Sequence, residues 1–170
     1  KFIDFTICQL DTTYLKNLVE YRKVIEQRNS LLKTGEGRFV DEILLESYNH
    51  KLIPLNHQIY ETRKKFLAEF IPHFNKTYSD LSGSSEKCDI HYKSCLNDHT
   101  MTSIFESNYR IDIASQRTTE GIHKDDLEFN IHEITIKKYG SQGQIKSFIV
   151  ALKIAQFEYL KSKTGKKPIL

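Results

Sequence analysis

The sequence predicts an α+β fold that combines a long antiparallel helical hairpin, a small antiparallel sheet and one buried helix. Apolar side chains recur at steps of three and four residues over two long stretches in the first half of the chain. Short runs typical of strands follow in the second half. The last long helical stretch is apolar on nearly all sides, as expected of a helix buried in a core.

The first long helix is predicted from Asp11, which can cap it, to about Lys33. Arg28 occupies one place in its otherwise apolar stripe, which consists of Tyr14, Leu18, Tyr21, Ile25 and Leu32. Gly35 and Gly37 bracket a tight turn, and a second helical pattern then extends over about 39–74. Pro54 lies inside this pattern and should kink or interrupt the helix. Residues 11–75 therefore form the predicted hairpin.

Residues 86–170 form the predicted α/β part. After a loop over 81–86, residues 88–93 alternate as a short strand. Asn97 or Asp98 can cap a helix that ends near Arg117, and the strand-like runs 127–131 and 133–139 are expected to pair as a hairpin. The buried helix is predicted from Ser141 to about Lys163.

Composition is typical of a soluble globular protein that remains in the cytoplasm. No stretch approaches the roughly 18 apolar residues needed to cross a bilayer, so we expect no membrane contact. A net charge of +3 permits local contact with nucleic acid without predicting it. Cys8, Cys88 and Cys95 are expected to be reduced. Both ends of the chain have the composition expected of cuts within a longer protein.

The run with the clearest chemistry is Tyr139-Gly140-Ser141-Gln142-Gly143-Gln144, between a strand and the buried helix. Its glycines permit close backbone approach, and Ser141 can cap the helix. The free N–H groups and the helix dipole then favour an anion such as phosphate. Taken alone, the run is better explained as an ordinary turn and cap.

The run resembles the signature motif of ABC-type ATPases, and further blocks resemble the RecF family within the ABC/SMC-like ATPase superfamily. Gly121-Ile122-His123-Lys124-Asp125-Asp126-Leu127 is similar to the family's Gly-Pro-His-Arg-Asp-Asp-Leu, and Leu152-Lys153-Ile154-Ala155 to its Ala-Leu-Lys-Leu-Ala. Near the start, Gln9-Leu10-Asp11, Tyr14-Leu15 and Gln27-Arg28-Asn29-Ser30-Leu31-Leu32-Lys33 follow the family order. Ile122, Lys124 and Ile145 depart from it, at places where the family has Pro, Arg and often Gln.

The resemblance implies the second lobe of an ATP-dependent DNA-binding dimer of recombinational repair and replication restart. Ser141, Gln142, Gly143 and Gln144 would contact ATP, held with Mg²⁺ by the partner subunit. DNA (single-stranded, double-stranded and gapped), RecR and RecO are the implied partners. The chain contains no Walker A pattern G-x-x-x-x-G-K-[ST], and its last strand stops before a Walker B Asp, so we expect it to bind no nucleotide and hydrolyse no ATP alone.

Three other patterns have competing explanations. Cys88, His91, Cys95 and His99 have a spacing that zinc could use, but Cys88 and His91 should point to opposite faces of one strand, so we predict no metal. The loop containing Gly121, His123, Lys124, Asp125 and Asp126 is either a hydrogen-bond network or a direct contact with nucleotide, DNA or a neighbouring lobe. Arg63, Lys64 and Lys65 are candidate DNA contacts, although the glutamates between the hairpin's basic residues favour a solvated face.

A different class of function also fits the pattern. The hairpin would then be a non-catalytic module that binds protein partners, and the Gly-Ser turn would be merely a cap.

Overall fold

The computed structural model describes residues 2–34, 40–83, 88–131 and 134–165. Its helices are α1 (Phe2–Cys8), α2 (Thr12–Thr34), α3 (Glu42–Ser82), α4 (Met101–Ser115), α5 (Ile136–Tyr139) and α6 (Gln142–Thr164). Its strands are β1 (Cys88–Lys93), β2 (Asp126–Ile131) and β3 (Ile134–Thr135). The predicted α+β class is confirmed. None of the described helices is long and apolar enough to cross a membrane.

The described residues form two compact units, and α3 contributes to both. The first unit comprises Lys1–Asp11, Arg63–Tyr92 and Leu127–Leu170, and the second comprises Thr12–Thr62 and Lys93–Asp126.

In the second unit, α2 and the first half of α3 form the predicted antiparallel hairpin. Asn17 on α2 donates to the Gln58 side chain at 2.9 Å, whereas Arg28, further along α2, reaches back to Asn49 at 2.8 Å. The predicted apolar stripe of α2 is buried. The turn around Gly35, Gly37 and Phe39 lies outside the described residues.

Helix α3 continues through Pro54 and ends at Ser82, beyond the predicted end near residue 74. The expected interruption at Pro54 was therefore wrong. A proline in a helix costs about 3 kcal/mol. Burial of a large apolar side chain returns about 1.5–3 kcal/mol, and Leu52 and Ile59, on either side of the proline, are both fully buried.

In the first unit, an aromatic ladder on α3 packs against α6. The rungs, spaced four residues apart, are Phe66, Phe70, Phe74 and Tyr78. Tyr159 of α6 meets the Phe66 ring edge-on with centroids 5.3 Å apart, and Phe148 meets Phe74 at 4.9 Å. One face of α6 is buried by these contacts, whereas Ile149 and Val150 are about half exposed, so the expectation of a helix buried on nearly all sides was wrong.

The sheet has the strand order β1-β2-β3, and β2 pairs antiparallel with β3. Asn130 lies opposite Thr135 and Ile131 opposite Ile134, which confirms the predicted hairpin. Residues 136–139, predicted as strand, instead form the single turn α5. Ile136 is buried and the next three residues are exposed, a spacing that suits a helical turn rather than a strand with alternating faces.

Helix α4 begins one residue after Thr100, whose side chain accepts from the amide of Ser103 at 3.3 Å. The prediction that Asn97 or Asp98 caps this helix was wrong. Cys95–Asn97 form a separate 3-10 turn capped by Ser94, so the chain makes one more turn before the helix starts.

Candidate functional site

The candidate phosphate-contacting turn lies at the start of α6 and closes on itself through a capping box. Ser141 is the N-cap, and its Oγ accepts from the amide of Gln144 at 3.2 Å. In return, the Gln144 side-chain oxygen accepts from the amide of Ser141 at 3.0 Å. The predicted cap is confirmed, and the reciprocal bond fixes both side chains beside the helix terminus.

The capping box leaves side-chain hydrogen-bond donors available at the turn. It uses the Ser141 Oγ and the Gln144 amide oxygen as acceptors, so the Ser141 O–H and the Gln144 side-chain NH₂ remain for other partners. The amides of Gln142 and Gly143 belong to the first helical turn and have no carbonyl partner within the helix. Ser141, Gln142 and Gly143 are exposed, and Gln144 is half-buried. The arrangement suits a ligand that offers only acceptors, such as a phosphate.

The two glycines of the turn differ in what surrounds them. A Cβ at Gly140 would lie 2.7 Å from the backbone oxygen of Ile136, so the chain itself requires glycine there. A Cβ at Gly143 would have no atom closer than 3.9 Å, the Ser141 Oγ. Glycine inside a helix costs about 0.5–1 kcal/mol relative to alanine. Nothing within the described structure requires that cost at Gly143, which leaves the backbone open to approach from outside.

The family-like loop is anchored by hydrogen bonds to the helical hairpin. Gly121, with φ of +134°, passes so close to Tyr21 and Asn56 that a Cβ would lie 3.1 Å from one and 3.2 Å from the other. Next to it, the amide of Ile122 donates to the Asn56 Oδ1 at 3.0 Å. These contacts correspond to the network interpretation of the loop.

His123 is hydrogen bonded at both ring nitrogens. Its Nε2 lies 3.2 Å from the carbonyl of Thr118, which can only accept, so Nε2 carries the hydrogen. Nδ1 therefore accepts from the Tyr21 hydroxyl at 2.7 Å. Burial lowers the pKa of His123, against the opposing effect of the Thr118 hydrogen bond. The ring therefore favours its neutral form, and both of its nitrogens are engaged in hydrogen bonds within the second unit.

Arg28 organises the other end of this loop, a role that the sequence pattern did not predict. Its guanidinium donates to Asp112 at 2.8 Å and to the Thr118 hydroxyl at 2.7 Å, and it lies 4.8 Å from the Phe105 ring centroid. Burial lowers the pKa of Arg28, while the nearby Asp112 opposes this. The available signal was a charged residue within an otherwise apolar stripe. Asn29, from the same family-like block, accepts from both the amide and the hydroxyl of Thr118.

The loop presents Lys124 to an open cleft of about 770 Å³ within the second unit. Cys95 and His99 also line this cleft. Burial raises the pKa of the Cys95 thiol, and the charges of Asp125 and Glu120 add to this effect. Lys124 is exposed, Asp125 is half-buried and Asp126 is exposed at the start of β2. A direct ligand contact by these three residues stays a prediction.

The candidate zinc residues are not gathered into a site among the described residues, which contain no group of three or more potential ligands. Cys88 is buried and His91 is exposed, on alternating positions of β1. Cys95 is half-buried and His99 exposed. The expected opposite orientation of Cys88 and His91 thus agrees with their burial.

Of the three candidate DNA contacts, Arg63 lies in the interior. It is only 6% exposed and donates to the Asp4 carboxylate at 2.9 Å. Lys64 and Lys65 are exposed on α3. A contact with DNA phosphates by this group therefore has to come from the two lysines.

The similarity to known proteins extends over the whole chain. The chain is 48% identical over 171 residues to the DNA replication and repair protein RecF of Flavobacterium johnsoniae, in a match that covers 100% of this chain and 48% of that protein. It is 42% identical to the protein of the same name from Cytophaga hutchinsonii, covering 100% of this chain and 45% of that protein. The chain thus spans about half the length of the curated relatives it matches. No family model matches it.

The fold is similar to solved structures described as the recombination mediator protein RecF in the RecFOR pathway. The structure described as RecF-ATP superposes with a TM-score of 0.90 at 27% identity, over 99% of this chain and 48% of that chain. The structure described as RecF-ATPrS gives 0.88 at 28% identity, over 98% of this chain and 47% of that chain. Since sequence and fold agree along the whole chain, we conclude that it belongs to the RecF family.

Proposed function

We propose that this chain supplies a signature motif to ATP held by a partner subunit of an ATP-dependent DNA-binding protein. Ser141, Gln142, Gly143 and Gln144 would contact the terminal phosphate. The observation that carries the proposal is the capping box, which leaves the Ser141 O–H and the Gln144 NH₂ available at a turn whose Gly143 leaves open space. The name RecF-ATP of the similar structure supports the choice of ATP as the phosphate source.

The chain's own residues define its part in this arrangement. ATP with Mg²⁺ on the partner subunit would supply the negative charge, and the helix terminus with its free amides would stabilise it. Because such a site is completed only when two subunits meet, nucleotide occupancy would favour their association. The sequence has no Walker A pattern, so we expect the chain alone to hydrolyse no ATP.

The wider setting follows from the family. We propose that the whole protein acts in recombinational repair and replication restart in the cytoplasm. It would form an ATP-dependent homodimer and bind DNA, including gapped DNA, together with RecR and RecO. The names of its relatives, DNA replication and repair protein RecF, and the RecFOR pathway named for the similar structures support this setting.

Association with an ATP-loaded relative tests the signature-motif proposal. Labelled chain is titrated with RecF of Flavobacterium johnsoniae, with and without ATP, and binding is measured by fluorescence anisotropy. We expect ATP to tighten binding about tenfold, within the usual range of coupling between sites. Gly143→Leu should abolish the effect of ATP because its side chain fills the open approach, while its Cβ would meet no atom of the folded chain closer than 3.9 Å.

Lys161→Leu is the matched control, since Lys161 is exposed at the other end of α6. This variant should retain the response to ATP. The proposal fails if the unmodified chain binds equally with and without ATP, or if Gly143→Leu responds as the unmodified chain does.

A second candidate function is a helical-hairpin module that binds protein partners. It is favoured by Leu15 and Val19, one turn apart on α2, which are 43% and 58% exposed. Exposed apolar side chains at this spacing suit a docking surface. If Leu15→Glu with Val19→Glu removes binding to RecR or RecO while the ATP response persists, the hairpin acts as such a module alongside the signature motif.

A further inference from the structure

A basic and aromatic surface lies immediately before the candidate phosphate-contacting turn, which is called the signature turn below. It consists of Lys137, Lys138 and Tyr139, the three exposed residues of α5. Tyr139 is 74% exposed, and among the large apolar side chains of the described residues only Ile43 is more so. Neither lysine forms an ion pair with any described residue. The fold therefore uses Ile136 of α5 and leaves the other three side chains to solvent.

This surface is held at a fixed place relative to the turn. The amide of Gly140 donates to the carbonyl of Ile136 at 3.0 Å, which ties the end of α5 to its buried first residue. Gly140 permits this close approach, since a Cβ there would collide with the same carbonyl. Tyr139 precedes Ser141 by two residues, so their Cα atoms are at most about 7 Å apart.

The charge around the turn has one sign. From Ile134 to Phe157 the sequence has four lysines and no Asp or Glu, between the acids Glu133 and Glu158. The segment that contains the turn therefore carries only positive formal charge, which would attract a polyanion.

The surface and the turn together offer a partner for each part of a nucleotide. The lysines and the turn suit its phosphates, and the exposed aromatic ring suits its nucleoside. We propose that these residues bind the same nucleotide whose terminal phosphate contacts the turn at the start of α6. Lys137 and Lys138 contact its polyphosphate, and the Tyr139 ring stacks on its nucleoside. This inference rests on the proposed function and extends it from phosphate to the rest of the nucleotide. Stacking on an aromatic side chain is effective for every base, so the surface would add affinity rather than a choice between bases.

A DNA strand offers the same two chemistries, phosphate and base. The nucleotide is favoured because the surface adjoins a turn whose convergent donors suit a terminal phosphate, whereas the phosphodiesters of DNA are internal. Binding of single-stranded DNA is therefore an outcome that the experiment has to separate.

The test is the association of the chain with RecF of Flavobacterium johnsoniae, using a series of variants at Tyr139. With ATP, we expect Tyr139→Phe to bind like the unmodified chain and Tyr139→Ala to bind about tenfold more weakly. Tyr139→Leu, which keeps apolar bulk without a π-face, should resemble Tyr139→Ala. If Tyr139→Leu binds as tightly as Tyr139→Phe, stacking is overturned.

Tripolyphosphate in place of ATP separates the two halves of the proposal. Without a nucleoside, Tyr139→Ala should leave the affinity nearly unchanged, whereas Lys137→Gln with Lys138→Gln should still weaken binding. The matched control is Lys161→Gln. If Tyr139→Ala loses as much affinity with tripolyphosphate as with ATP, nucleoside contact is overturned. It is also overturned if Tyr139→Ala loses binding of single-stranded DNA but keeps its response to ATP.

Failure of this inference is distinguishable from failure of the proposed function. If Gly143→Leu abolishes the ATP response and Tyr139→Ala leaves it intact, the signature proposal stands and the nucleoside contact falls. If Gly143→Leu has no effect, both fall.

Discussion

Arg28 on α2 and Asp112 on α4 form an ion pair at 2.8 Å in which the two side chains are 1% and 2% exposed. Asp112 also accepts from the amide and hydroxyl of Thr119, at 2.8 and 2.6 Å. The pair therefore fixes the start of the family-like loop from two helices. Because both charges have left water, removing either one leaves the other without an opposite charge.

Arg28→Met should lower the free energy of unfolding by about 3–5 kcal/mol, since it leaves the Asp112 carboxylate buried without an opposite charge. Urea denaturation measures the decrease. The double variant Arg28→Met with Asp112→Asn should be destabilised by less than the two single variants together, because it buries no lone charge. Additive effects would contradict the interpretation of Arg28 and Asp112 as an interdependent pair.

Asn56→Leu should destabilise the chain by about 1–3 kcal/mol because it leaves the amide of Ile122 without its acceptor. Hydrogen exchange at Ile122 should accelerate more than at the amides of α6. Gln58→Ala is the control: its exposed hydrogen bond to Asn17 should contribute less than about 0.5 kcal/mol. Unchanged protection of Ile122 in Asn56→Leu would show that the loop does not depend on this contact.

The lowered pKa of His123 predicts a stability that falls in mild acid. In the unfolded chain the imidazole takes up its proton near its ordinary value of 6.5, whereas the folded chain resists protonation to lower pH. The contribution of His123 is therefore complete above about pH 6.5 and disappears as the pH falls below it. His123→Gln should show a smaller decrease in unfolding free energy from neutral to mildly acidic pH than the unmodified chain. An equal or larger decrease would contradict the shift.

Alanine at the two glycines of the turn should have opposite effects on thermal stability. Gly140→Ala should lower the melting temperature because its methyl group meets the Ile136 carbonyl at 2.7 Å. Gly143→Ala should raise the unfolding free energy, by at most the roughly 0.5–1 kcal/mol of a helix interior, because it removes a helix-disfavouring residue from the first turn of α6 without introducing a clash. Calorimetry measures the melting temperature of both variants. Shifts of the same sign would contradict the predicted contrast between Gly140 and Gly143.

Charge reversal of Lys64 and Lys65 tests whether these two residues of α3 contact DNA. If both lysines neutralise phosphates, the slope of log affinity against log salt should become shallower by about 0.9 for each phosphate that is no longer neutralised. Reversal of the exposed Lys51 and Lys161 is the matched control. Arg63→Gln should instead lower stability, because it removes the partner of Asp4. A slope unchanged by reversal of Lys64 and Lys65 would exclude them as DNA-binding residues.

Local patterns predicted the helices and the capped turn, because both depend on residues only three or four positions apart. The stripe of α2 and the cap at Ser141 are of this kind. Predictions from residue propensity were wrong where the burial of neighbouring side chains determined the secondary structure. Helix α3 continues through Pro54 because its neighbours are buried. In α5, the buried Ile136 stabilises a helical turn in a run that has the composition of a strand.

The partners of the family-like loop could not be derived from spacing. Arg28 meets Asp112 across 84 positions, and Tyr21 meets His123 across 102. Only the placement of Arg28 in an apolar stripe indicated a buried charge that requires a partner. The resemblance to a family identified both blocks as important, and the structure supplies the physical reason in their hydrogen bonds to one another.

The contrast between Gly140 and Gly143 also has an evolutionary consequence. Replacement of Gly140 is opposed by folding itself, so selection for a stable chain would retain it under any function. Gly143 has no such protection, because alanine there would improve the helix. In a lineage whose chain no longer bound its ligand, Gly143 would be among the first residues of the motif to be substituted. Gly140 would be retained because the fold requires it.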